Sequence, residues 1–144
     1  MMRRSRAREV AFQVLYQEDL NARTNPADGD QLIERRLHGS DLVTFAKTLV
    51  SGLRRHREEI DAQIEQVAAN WSLKRMAATD RNILRLGVYE LLHYDTPNAV
   101  AIDEAVELAK RYGSVQSSQF VNGILDKIMH REGETGAKKV ASDH

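Results

Sequence analysis

Apolar residues recur three and four positions apart almost from the start of the chain. Ala7, Val10, Ala11, Val14 and Leu15 share one helical face, which predicts a first helix over about 3–21. Asn25-Pro26-Ala27-Asp28-Gly29 breaks it. A short helix over about 31–37 is stopped by His38-Gly39, and Ser40 or Asp41 is placed to cap the next. Leu42, Phe45, Ala46, Leu49, Val50 and Leu53 form a clean stripe there. The charged cluster from Arg54 to Glu59 interrupts that stripe, and Ile60, Ile64, Val67, Ala68 and Trp71 resume it, predicting two helices with a tight joint near His56.

The segment 79–94 is apolar on most of its circumference, with Ile83, Leu84, Leu86, Val88, Leu91 and Leu92, and belongs at the centre of the domain. Gly87 within it predicts a close approach by a neighbouring helix, because glycine inside a helix costs about 1 kcal/mol against alanine. Asp95-Thr96-Pro97-Asn98 turns the chain into a helix that ends at Gly113, after Lys110 and Arg111. A last helix over about 117–130 carries Phe120, Val121, Ile124, Leu125 and Ile128. No alternating β-branched run occurs, so the fold class is all α. Residues 1–131 read as one domain, and 132–144, polar and holding two glycines, as a disordered tail.

Composition narrows the function by exclusion. No apolar run suits a membrane span, and Met-Met-Arg-Arg-Ser-Arg-Ala-Arg is not followed by a signal-peptide core, which predicts a cytoplasmic protein without a membrane role. The absence of cysteine excludes disulfides, thiolate metal sites and a cysteine nucleophile. The five histidines, at 38, 56, 93, 130 and 144, include no i, i+4 pair, so neither a metal site nor a cofactor is expected. There is no glycine-rich phosphate loop and no nucleophile elbow, and Asp103, Glu104 and Glu107 suit the positive end of a helix dipole better than acid–base work. The chain does not read as an enzyme.

Net charge is zero, but the cations are 15 Arg against 6 Lys, and Arg3, Arg4, Arg6 and Arg8 cluster with no acid among them. On a helix, Arg4, Arg8, Phe12 and Tyr16 form one band beside the apolar face. Such a band suits single-stranded nucleic acid, with guanidinium groups on phosphates and rings stacking on bases. The same spacing also fits Phe12 packed under the following loop and Tyr16 at the edge of the core. Arg81, Arg85 and Glu90 on the central helix are expected to be internally paired, while Asp80 and Arg81, at its start, could face a ligand.

Three stretches, Arg3-Arg4-Ser5-Arg6-Ala7-Arg8-Glu9 with Leu15-Tyr16, Asp80-Arg81-Asn82-Ile83-Leu84-Arg85 with Tyr89-Glu90-Leu91, and Val100 through Lys110, resemble the NusB family. Gly113 to Ser117, and Ser118 through Phe120-Val121-Asn122-Gly123 to Asp126, continue the resemblance. It implies a seven-helix NusB-like fold of two three-helix subdomains. It further implies a transcription antitermination factor that binds boxA RNA of ribosomal operon leaders with the ribosomal protein NusE, inside an RNA polymerase elongation complex with other Nus factors.

By position, the resemblance assigns Arg4, Arg6, Arg8 and Tyr16 to an RNA-facing first helix, and the charge cluster and the band add Arg3 and Phe12 to the same expected RNA surface. Gln116, Ser117, Gln119, Phe120 and Asn122 would complete the RNA surface, and Asp80 and Arg81 would lie near both RNA and partner. Gln116 stands where relatives often carry an acid, which removes repulsion toward phosphate. Two other readings stay open: an RNA-docking domain like that of ribosomal RNA cytosine methyltransferases, and a helical adaptor without an RNA role. Monomer and homodimer are equally compatible with the sequence.

Overall fold

Every residue from Asn82 to Leu91 is buried, so the helix that carries them, Ala78–His93, is wrapped by its neighbours. The computed structural model describes residues 3–135. In chain order its helices are α1 (Arg3–Leu20), α2 (Pro26–Arg36), α3 (Ser40–Val67), α4 (Ala78–His93), α5 (Asn98–Tyr112) and α6 (Ser117–Thr135), with a single 3-10 turn at Leu73–Arg75. Among the described residues there is no strand, and no helix is long and apolar enough to cross a membrane. α1, α2 and α3 pack together, as do α4, α5 and α6, and α4 joins the two groups by packing on α1 and α3 as well. The side chains filling the seam include Val10, Val14, Leu49, Ile60, Ile83, Leu84, Leu125 and Ile128, all fully covered. Each such burial is worth roughly 1.5–3 kcal/mol, which is why the apolar period dictates the helix arrangement.

Among the described residues, the helix count corrects the expected seven to six. α3 runs unbroken for 28 residues, with no joint at His56. Leu53 and Ile60 are seven residues apart and both buried, so the stripe keeps its phase, while Arg55, Arg57, Glu58 and Glu59 lie on the exposed side. Arg and Glu are good helix formers, and a charged solvent face does not interrupt a helix. The helix stops at Val67, before Trp71, which is 50% exposed rather than part of the stripe.

α2 begins five residues earlier than its apolar pattern suggests, because the Asn25 side chain accepts the Ala27 N–H at 3.0 Å and Pro26 occupies the first turn. Neither Ser40 nor Asp41 caps α3; that position falls to Gly39, at φ 101°. α6 continues to Thr135, so residues 132–135 of the expected tail are helical, and 136–144 lie outside the described residues.

Candidate nucleic-acid interface

The first turns of α1 divide their arginines between solvent and core. Arg3 and Arg4 are exposed; Arg3 stands 3.4 Å from Asp41, and the Arg4 guanidinium lies over the Phe45 ring, 4.4 Å from its centroid. Arg6 keeps 41% of its side chain exposed while its Nη1 sits 2.7 Å from Glu9 Oε1. Arg8 is different, at 5% exposure, and this corrects its assignment as a phosphate contact. Its Nε and Nη2 donate to the two carboxylate oxygens of Glu90, and Nη1 donates to Glu104, so its donors are committed inside the fold. Phe12 is likewise corrected as a stacking platform: it is buried against Tyr112 and Tyr16, with centroids 5.1 and 6.0 Å away.

Tyr16, half-buried, lines a cavity of about 380 Å³ with Gln13, Gln17, Leu32, Thr79 and Tyr112. Sequence spacing missed the hub beside it. Glu9 is buried and accepts hydrogen bonds from Arg6, Arg111 and the Tyr112 hydroxyl. Burial alone would raise its pKa, but the hydrogen bonds from Tyr112, Arg111 and Arg6 outweigh that and hold it at about 2. Arg111 retains 50% exposure, so one covered carboxylate fixes two half-exposed guanidinium groups from different helices. Arg111 carried only a helix-end signal in sequence, because its partner lies 102 residues away.

Just after Arg111, the turn into α6 exposes Gln116, and the next residues expose Gln119 and Asn122. Ser117 is corrected as an RNA contact because it is buried: its Oγ accepts the Ser114 N–H at 2.9 Å and its own N–H donates to the Ser114 carbonyl. Those bonds close the turn. Phe120 is half-buried and meets the exposed Trp71 edge-on at 6.1 Å, beside a groove of about 310 Å³ shared with Gln119 and Lys127. Trp71 is thus a second aromatic that sequence reasoning placed in the core.

At the start of α4, Asp80 is partly buried and its Oδ1 finds no hydrogen-bond donor. Arg81 is corrected as a free ligand contact, since it pairs with Asp19 at 2.7 Å and donates to the carbonyls of Leu73 and Met76, anchoring the 3-10 turn. The expected internal pairing of Arg85 and Glu90 is found: Arg85 grips Asp61 with two donors, and Glu90 holds Arg8. Asp19 is the hub here. Burial opposes its charge, but Asn82 and Arg81 donate to it and Arg85 lies near, which together lower its pKa.

Residues 5–130 match the NusB family model. The chain is 47% identical, over 132 residues, to the transcription antitermination protein NusB of Anaeromyxobacter dehalogenans, covering 88% of this chain and 89% of that one. It is 42% identical to the protein of the same name from Symbiobacterium thermophilum, covering 98% and 99%. Among solved structures, T. maritima NusB superposes with a TM-score of 0.80 at 38% identity, covering 90% of this chain and 92% of that one. A crystal structure of the antitermination factors NusB and NusE in complex with double-stranded RNA gives 0.81 at 36% identity, covering 91% and 99%.

Proposed function

The chain belongs to the NusB family, and on that premise we propose that it is a transcription antitermination factor, not an enzyme, that binds boxA-type single-stranded RNA of ribosomal operon leaders. It does so with the ribosomal protein NusE, inside an RNA polymerase elongation complex with other Nus factors. The observation that carries the RNA reading is the Arg6–Glu9–Arg111 hub. One buried carboxylate orients two guanidinium groups that stay half open to solvent, leaving a net positive, pre-positioned phosphate site. Arg3 and Arg4 add exposed charge, and Tyr16 supplies a half-buried ring on the same helix. Gln116, Gln119 and Asn122 offer neutral donors and acceptors for bases, with Phe120 and Trp71 beside them. Asp80 suits the protein partner better than RNA, since its partly buried carboxylate would repel phosphate.

Fluorescence anisotropy with a boxA-like strand, a scrambled strand and the boxA duplex, each with and without NusE, tests the proposal. Binding of the boxA strand should be weak alone and tighter with NusE, and RNA should tighten the protein pair by the same factor. Equal affinity for all three RNAs, unchanged by NusE, would overturn it. Stronger binding of the duplex would move the reading from single-stranded to double-stranded RNA.

A further inference from the structure

We propose that His56, Glu59 and His93 form a binding site for one divalent first-row transition ion of the zinc type, joining α3 to the last turn of α4. Among the described residues, one ligand atom from each of the three lies within 4.8 Å of the others. His56 and Glu59 are three apart on α3, which puts both on one helical face. His93 reaches them from α4: its Nε2 is 2.8 Å from Glu59 Oε1, and His56 Nδ1 is 3.9 Å from Glu59 Oε2. Two imidazoles and a carboxylate are the ligand set of open zinc sites, whose fourth position takes water. Ligand atoms sharing a tetrahedral zinc stand about 3.4 Å apart, given bonds of about 2.0–2.1 Å, so these separations bracket the required spacing.

His93 Nε2 is buried, and the group it faces is the Glu59 carboxylate at 2.8 Å. The two rings stack at 3.9 Å and 12°, which two imidazolium ions would resist. Glu132 on α6 adds negative charge near the His93 ring. Parallel rings aim their lone pairs in parallel, so one ring must turn for both to converge. His56 is the more exposed of the two and so the one with more room to turn. The expectation of no metal site rested on pairs within one helix, and this pair spans two.

The test uses the untagged full chain stripped with chelator, titrated with cobalt(II) and followed by visible absorption, then displaced with zinc. Saturation at one equivalent is expected, with a rise in thermal midpoint when zinc is added. His93→Ala and Glu59→Gln should each weaken cobalt binding by about tenfold or more, whereas His38→Ala, His130→Ala and His144→Ala should bind as wild type. Glu59 is exposed, so Glu59→Gln keeps the test valid if His93→Ala unfolds. Absence of saturable binding up to roughly 1 mM metal, or wild-type affinity in folded Glu59→Gln, would overturn the proposal.

Discussion

Arg8 and Glu90, 82 residues apart, meet through two parallel hydrogen bonds of 2.7 and 3.0 Å, with both side chains covered by the core. Glu104 adds a third bond to the same guanidinium, so a single arginine ties α1 to α4 and α5. Removing it strips the cation facing a buried carboxylate, which typically costs about 3–5 kcal/mol. Arg8→Ala should therefore lower the urea midpoint sharply. The double variant Arg8→Met/Glu90→Leu should recover most of the loss, because well-packed apolar pairs often equal buried ion pairs. A wild-type midpoint for Arg8→Ala would return Arg8 to the RNA surface.

Two glycines answer differently to the same added methyl group. A Cβ at Gly52 would fall 2.1 Å from the Tyr89 hydroxyl and 2.4 Å from its Cζ, whereas at Gly87 it would meet the end of the Leu125 side chain at 2.8 Å and Ala105 at 3.4 Å. Leu125 can change rotamer; a buried aromatic ring held among its neighbours has little room to turn. Gly52→Ala should destabilise by about 1–3 kcal/mol and Gly87→Ala by less, while Gly87→Leu should approach the Gly52 value. Chemical denaturation of the three variants checks the order, and equal losses for the two alanines would contradict it.

Glu9 makes stability sensitive to acid. Its pKa is about 2 in the folded chain against an ordinary 4.5, so it binds protons more readily when unfolded. The stabilisation is then fully present above the unfolded value and is lost as pH falls from about 4.5 through about 2, amounting to something on the order of 3 kcal/mol. Denaturation midpoints of the wild type and Glu9→Gln should converge as pH drops across that window. Curves that stay parallel to pH 2 would show that the hub contributes no linkage.

Periodicity located every helix because burial of Leu, Ile and Val enforces it, and the one false break, at His56, came from weighting charge on a face that solvent covers. The early start of α2 was hidden because an Asn cap and an N1 proline replaced apolar signal. Long-range pairing was less legible. Arg4 and Arg8 look alike in sequence, yet Arg8 finds Glu90 while Arg4 stays outside over Phe45. Position on the helix gives the side a residue faces, but not whether an acid 82 residues away waits there. Arg111 and the His56–His93 pair were missed for the same reason, since their partners lie on other helices.

Charge and stacking on the RNA surface can be separated by salt dependence. Arg6→Ala and Arg111→Ala each remove a guanidinium from the Glu9 hub, so each should weaken boxA and scrambled strands alike and make the salt slope shallower by up to about 0.7. Tyr16→Ala should instead reduce affinity by about 1–3 kcal/mol at unchanged slope, because stacking releases few counterions. Tyr16→Phe keeps the ring, so retained binding identifies stacking, and loss identifies the hydroxyl as the contact. Circular dichroism melts must accompany the set: Tyr16 is half-buried against Phe12, and truncation also removes core packing. A stability loss in Tyr16→Ala that Tyr16→Phe fully repairs, with RNA affinity following the folded fraction, would assign the ring to the core. Should the arginine variants fold and bind with an unchanged slope, the Glu9 hub is not the phosphate site, and the exposed Arg3 and Arg4 become the first cations to test.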